Sequence, residues 1–459
     1  MMMHGIFRGA RVAPTLLFAL LLAGSATPAP VLMISVDGMK PEYVLEADQH
    51  QLKIPYLRSL LATGSYARGV KGVWPTVTYP SHTTLVTGVE PARHGIENNL
   101  EFDPKRTFGD SWYWYASQIR VPTLWSAVHQ AQGSTASVGW PATVGNADID
   151  TLIPEYWRIF RPTAELNPSD AHLIAALSRP EGMLTRLEQS LGPYISGNDP
   201  NPPGDVIKTR FALEILRRAK PQFMTVHLSA LDEEEHAHGP FSPEANAELE
   251  VLDQSLATLA AQAHANDASS VVVVVSDHGF TRITHKVNLL PAFVKAGLVT
   301  VNESRIVSWK AQPWVAGGMA AVMLNGTAAD QEPQVRDLLK ALKEDPANGI
   351  EAVLDGEAIR ARGGFKDAAF LIVMKLGYYA LADLGSPAVA EVTGTPGTHG
   401  FTPDYPDMRA AFFVSGPTIA KHRDLGVVEM TRIAPTVAKI LKVKLTESRA
   451  DVLPVFEAR

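Results

Sequence analysis

Apolar residues along this chain gather in short unbroken runs. Val31-Leu32-Met33-Ile34-Ser35-Val36 is the first, Phe223 to Leu228 and Val271 to Val275 repeat it, and Ala411-Phe412-Phe413-Val414 is a weaker case. Runs of this length without alternation suit strands buried on both faces. Between them the apolar spacing becomes helical, over Ile54 to Ala62, Thr123 to Gln132, Val206 to Ala219, Asn246 to Ala263, Gln334 to Lys343 and Thr431 to Leu441. Strands alternating with helices predict an α/β fold with a mostly parallel central sheet and helices on both faces. Two stretches, 145–204 and 345–398, follow neither pattern, and the first is rich in Pro, Asn and Asp. Both read as substrate-shaping insertions on a single domain over residues 30–459.

The first 29 residues carry a different pattern. Arg8 and Arg11 precede the apolar run Leu16 to Ala23, and small residues follow at Gly24, Ala26, Thr27 and Ala29. This is the layout of a cleaved secretory signal, with processing near Ala26 or Ala29. The run is shorter than the ~20 residues a spanning helix needs, and no later stretch reaches that length. The expected protein is therefore periplasmic or secreted, without a transmembrane anchor.

Composition narrows the chemistry. The 459 residues are 46% hydrophobic, enough chain for a large core. Their 41 Lys and Arg against 48 Asp and Glu give a net charge of -7, which argues against binding a nucleic-acid duplex. The chain has no Cys, which excludes thiolate metal sites, iron–sulfur clusters and a Cys nucleophile. A metal would have to be held by carboxylates and by some of the 14 His.

In open α/β sheets ligands bind at the carboxyl ends of the strands. Asp37-Gly38 follows the first apolar run, Leu231-Asp232-Glu233-Glu234-Glu235-His236 the second, and Ser276-Asp277-His278-Gly279 the third. A fourth segment, Gly394-Thr395-Pro396-Gly397-Thr398-His399-Gly400, sets a His between glycines. Asp37, Asp232, His236, Asp277, His278 and His399 together supply three carboxylates and three imidazoles. That set suits two divalent ions such as zinc with coordination positions left open. Two adjacent metals can clamp an in-line displacement at phosphorus. Trp74 to Gly88 reads as a turn entering a helix, with Pro80 in its first turn and Thr78 at its N-terminus. There the helix dipole favours an alkoxide, although a Thr in that place also caps helices.

Taken together, these segments resemble the nucleotide pyrophosphatase/phosphodiesterase family of the alkaline phosphatase superfamily. The resemblance runs from about Val31 to Glu447 and is strongest in Pro75-Thr76-Val77-Thr78-Tyr79-Pro80-Ser81-His82, then Thr87-Gly88, His94-Gly95-Ile96 and Asn98-Asn99. The resemblance implies Thr78 as nucleophile and Asn99 as a holder of a phosphoryl oxygen. It implies one zinc held by Asp232, His236 and His399 and another by Asp37, Asp277 and His278. The sequence departs from the family pattern at Ser81, where Asn is usual, and at Glu235, where Gly precedes the His. By itself the run Glu233-Glu234-Glu235 reads as a solvated face.

His82 and His94 read as structural or supporting, and His227 as packed on its strand. His236 is preferred over His238 by spacing. Six of the eight Trp, at 74, 112, 114, 125, 140 and 157, crowd one window with Tyr79, Tyr113, Tyr115 and Tyr156. Aromatic faces can stack a base, and the resemblance singles out Tyr79, with Tyr156 second. The expected substrate is a small phosphate ester, a nucleotide-type diester or pyrophosphate first. A phosphomonoester, a lipid-headgroup diester, or a non-catalytic metal-stabilised binding role are the alternatives. A monoesterase would call for cations at the site, and Arg93, Lys105 and Arg106 are near the motif in sequence only.

Overall fold

Unbroken apolar runs become strands whose two faces feed two different cores. In the computed structural model the described residues are 28–105, 111–156, 159–160, 165–166, 170–194, 202–326 and 330–457. Residues 1–27, Arg106 and Trp157 lie outside them, so the proposed signal is not described. Twelve strands build the two largest sheets; in chain order the first six of them are β1 (Val31–Val36), β2 (Gly64–Tyr66), β3 (Thr135–Val138), β4 (Thr151–Ile153), β5 (Phe223–Leu228) and β6 (Val271–Val275). Then come β7 (Ala311–Ala316), β8 (Met319–Leu324), β9 (Ile350–Asp355) and β10 (Phe370–Met374). The last two are β11 (Phe412–Ser415) and β12 (Arg423–Asp424).

Eight of these form one sheet in the order β12-β2-β11-β6-β1-β5-β3-β4. The pairs among β6, β1, β5, β3 and β4 are all parallel, while β11 is antiparallel to β6 and β2. Alternation along each strand splits the burial. Leu32, Ile34, Val36, Val272 and Val274 enter one core; Val31, Met33, Val271, Val273 and Val275 enter the other.

Helices α1 (Pro55–Thr63), α4 (Pro202–Ala219) and α6 (Pro243–Asn266) cover the first face with Leu57, Phe211, Leu252 and Leu256. On the second face lie α2 (Thr78–Thr87), α3 (Leu124–Gln130) and α7 (Ile433–Ile440), with Leu85, Trp125 and Val437. Between α4 and α6 sits the short α5 (Ala230–His238). The expected helices over 54–62, 123–132, 206–219, 246–263 and 431–441 are thus present with small end shifts, and Glu332–Glu344 answers to 334–343.

The irregular reading of 345–398 is corrected. That stretch holds β9, β10 and the strands Tyr378–Leu381 and Val389–Glu391. They join earlier strands in an antiparallel sheet, β7-β8-β10-β9, and in a three-stranded sheet with His285–Asn288. The unit therefore begins near Thr281, with its own core around Phe293, Val322, Phe370 and Ile372. Its strands escaped notice because several are half-exposed: β9 is buried only at Ile350. Within the expected insertion 145–204, Thr151–Ile153 is instead the edge strand β4, and Asp170–Leu177 and Met183–Leu191 are helical.

Candidate active site

The site gathers at the carboxyl ends of β1, β5 and β6. Asp37 leaves β1 with its backbone N–H bonded to Leu228 O, which ties it to the end of β5. Asp232 and His236 lie one turn apart on α5, and their side chains meet at 3.4 Å. No side chain of its own caps α5; Asp205 of α4 does so, accepting from Ala230 N at 2.8 Å. Asp277 and His278 follow β6 directly, and Gly38 N donates to Asp277 Oδ1 at 3.1 Å. His399 arrives from the far side of the chain. Its Nδ1 lies 3.1 Å from Thr76 O, Gly400 N donates to Thr76 O, and Thr76 Oγ1 donates to Phe401 O. That zipper fastens the His399 loop to the segment that enters α2.

His278 stands at the centre. Its Nε2 is 3.0 Å from Asp277 Oδ2, 3.4 Å from Asp37 Oδ1 and 3.5 Å from Thr78 Oγ1. Its ring stacks on His399 at 3.6 Å. Asp37, Asp277 and His278 lie close enough together to hold a metal ion; Asp232, His278 and His399 form a second such group, and Asp37, His82 and His227 a third. His236 joins the second group through Asp232 and lies 5.1 Å, ring to ring, from His399. All six predicted ligand residues are brought together, with Thr78 beside them as the first residue of α2. His238 points to Glu234 at the surface, which leaves His236 as the member at the site.

Electrostatics make the cluster costly without a cation. Burial, then the neighbouring Asp277 and Asp232, push the Asp37 carboxyl well above its ordinary range. Burial takes Asp232 up to about 7. Asp277 is also opposed by burial, but His278 and His82 outweigh it and hold this carboxyl well below the usual range. Burial and the adjacent His278 and His236 hold His399 well below an ordinary imidazole.

Asp37 Oδ1, Asp232 Oδ1 and Asp277 Oδ2 are buried with no hydrogen-bond partner among the described residues. Orphaned carboxylate oxygens converging this way fit divalent ions. His236 and His399 fit as well, because each engages a carbonyl through Nδ1 and keeps Nε2 for the cluster. No Lys or Arg pairs with these carboxylates among the described residues. Arg93 is spent on Glu447 at the surface, and Lys105 is exposed.

Asn99 sits where the resemblance implies. Its Oδ1 accepts from Tyr79 N at 2.8 Å, leaving its amide NH2 without a partner among the described residues. Tyr79 corrects the expectation of a stacking face. The ring is wholly buried against Trp112 and Trp114, and its hydroxyl donates to Glu155 at 2.6 Å. Tyr156 is half-buried beside Trp114. Glu235 is corrected too: it is wholly buried, accepts from Tyr43 OH at 2.8 Å, and sits where a Cβ on Gly38 would meet it at 2.6 Å. His82 and His94 are buried supports, His82 bonding Thr78 O and Ser35 Oγ, His94 bonding Thr84 Oγ1.

Two residues escaped the sequence reading. His227 is more than packed: it bridges Asp37 and Glu155. Glu155 was hidden in the stretch read as an insertion. The available signal was a His inside a run buried on both faces, in register with the polar Ser35 of β1.

Fold and site together define an α/β protein of the alkaline phosphatase type, with an Asp/His cluster facing a Thr at a helix N-terminus. The chain belongs to the type I phosphodiesterase / nucleotide pyrophosphatase family, whose model matches residues 31–402. It is 23% identical over 262 residues to ectonucleotide pyrophosphatase/phosphodiesterase family member 1 of Mus musculus, covering 54% of this chain and 24% of that protein. To the venom phosphodiesterase of Naja atra it is 23% identical over 264 residues, covering 56% and 27%. The chain thus spans about a quarter of the length of these curated relatives. An inactive variant of murine ectonucleotide pyrophosphatase/phosphodiesterase 5 in complex with AMP superposes with a TM-score of 0.62 at 17% identity, covering 92% of this chain and 97% of that one. The human counterpart gives 0.61 at 18%, covering 94% and 97%.

Proposed function

We propose that this protein is an exported two-zinc hydrolase that cleaves nucleotide-type phosphodiester or pyrophosphate bonds through a covalent Thr78 ester. The observation that carries the reading is Thr78 Oγ1 at the N-terminus of α2, 3.5 Å from a His enclosed by orphaned carboxylates. Asp37, Asp277 and His278 would hold one ion and Asp232, His236 and His399 the other, within one catalytic domain over 30–459. When bound, the ions supply Lewis acidity to the oxygens about phosphorus.

The chain's own groups do the rest. Thr78 Oγ gives its proton to water, the helix dipole favouring the negative charge, and forms the bond to phosphorus as the leaving oxygen departs and takes up a proton from water. The free Asn99 amide donates to a phosphoryl oxygen as charge grows there. Water then cleaves the Thr78–phosphorus ester and restores the hydroxyl.

Two features support a diester over a monoester. The doubly charged end of a monoester calls for cations, and no Lys or Arg pairs with the site carboxylates among the described residues. AMP in the murine relative's complex supports a nucleotide. The burial of Tyr79 favours a second reading, a lipid-headgroup diester, because it removes one stacking face. Export rests on the pattern of residues 1–29; among the described residues no helix is long and apolar enough to cross a membrane.

The test compares p-nitrophenyl thymidine monophosphate, p-nitrophenyl phosphate and glycerophosphocholine under excess zinc. The nucleotide diester should give the highest kcat/KM, and Thr78→Ala should lower it on the order of a thousandfold or more. A preference for the monoester, or near-full activity in Thr78→Ala, overturns the proposal.

A further inference from the structure

We propose that His227 and Glu155 form a positioning strut that fixes Asp37 relative to Thr78. The inference rests on the reading of Asp37 as a metal ligand and Thr78 as the nucleophile. His227 occupies the interior of β5, where every residue is buried. Its Nε2 lies 2.8 Å from Asp37 Oδ2, and its Nδ1 lies 2.8 Å from Glu155 Oε2 and 3.1 Å from Gly139 O. A packed strand histidine needs only one partner at each ring nitrogen. This one joins oxygens from three separate parts of the chain.

Glu155, also buried, uses its second oxygen to accept the Tyr79 hydroxyl at 2.6 Å. Tyr79 is the residue after Thr78, and its own N–H is fixed on Asn99. The path Asp37–His227–Glu155–Tyr79 therefore runs from the strand end that carries the carboxylate to the helix start that carries the hydroxyl. It closes a ring of contacts around the 3.5 Å approach of Thr78 to His278.

The division of labour at Asp37 is the main point. His227 takes Oδ2, while Oδ1 has no hydrogen-bond partner and faces His278 Nε2 at 3.4 Å. A carboxylate gripped by one oxygen presents the other in a fixed direction. Such outer partners set ligand orientation and metal affinity. Burying a second acid here, Glu155, would be costly unless both its oxygens were engaged, and both are.

Zinc titration of the full-length protein by calorimetry, with a competing chelator, tests the strut. His227→Gln places an amide nitrogen where Nε2 was and keeps the Asp37 contact; His227→Asn places one where Nδ1 was and loses it. The Asn variant should bind one of two zinc equivalents about tenfold more weakly or worse, with kcat recovering in excess zinc. The Gln variant should stay nearer wild type. A packing role alone would not separate the two in this order. Tyr79→Phe should keep both equivalents and lower kcat.

Equal zinc affinity in wild type and the Asn variant overturns the Asp37 half, and full kcat in Tyr79→Phe overturns the Thr78 half. If the Asn variant does not fold, Glu155→Gln is read in its place, and unchanged zinc binding there is equally fatal. A wild-type chain that takes up no zinc sinks the ligand reading itself, which separates that failure from a failure of the strut.

Discussion

A carboxyl outside the cluster shows what burial, with one like charge nearby, does to an acid in this protein. Glu90 precedes the turn Pro91–His94, and its side chain packs where a Cβ on Gly363 would lie. Burial first, then Glu429, raise it from 4.5 to about 7. The fold thus prefers its neutral form. Its contribution to stability is complete below 4.5, where the unfolded chain is also protonated, and is lost as pH rises through 7. Glu90→Gln, neutral at every pH, should therefore leave the melting temperature unchanged near pH 4 and raise it near pH 8. The gain should be about 1–2 kcal/mol after discounting partial exposure. Thermal melts at both pH values check this, and a gain at low pH only would contradict the sign. At the candidate site the same cost falls on Asp37 and Asp232.

Between elements, the critical joint is the turn from β7 to β8. Gly317 there has φ +67, and a Cβ on it would lie 2.2 Å from His399 O. Gly318 N donates to that same carbonyl. Gly317→Ala combines a left-handed conformation with a backbone clash, so it should cost about 1–3 kcal/mol. It should also displace His399, so zinc retention after dialysis should fall along with the melting temperature. Lower stability with undiminished zinc would show that the turn supports the inserted unit only.

This joint also marks where sequence reading stopped. Asp37, Asp277 and His278 were legible because each closes an unbroken apolar run, and Asp232 with His236 because four residues make one helical turn. His399 was visible only as a His among glycines. Its partner turn, 82 residues upstream, joins two strands buried on both faces at most positions, so neither shows the alternation that marks a strand beside a site. Tyr79 was misjudged for a related reason: the pattern shows that an aromatic follows Thr78 but not that Trp112 and Trp114 cover it.

Across the whole molecule, the six proposed ligand positions span Asp37 to His399, so any ion they hold joins the central sheet to the loop that follows the smaller sheets. The chain has no disulfide to do that work, since it has no Cys. Without a cation, three carboxylates share one cluster, and burial pushes two of them, Asp37 and Asp232, toward their neutral forms. Ions that bind only the folded state add stability by mass action, about 2.7 kcal/mol per site at a hundred times Kd. Removing them should therefore do more than abolish activity. Treatment with a strong chelator should lower the melting temperature by several degrees and raise protease sensitivity in the His399 loop ahead of the central sheet. Zinc added back should restore both the melting temperature and hydrolysis in parallel, with two equivalents sufficing. Calorimetric melts across a zinc titration make the comparison. A melting temperature indifferent to zinc would mean that the cluster is stabilised by some other means, and that the sheet and the inserted unit are held together without it.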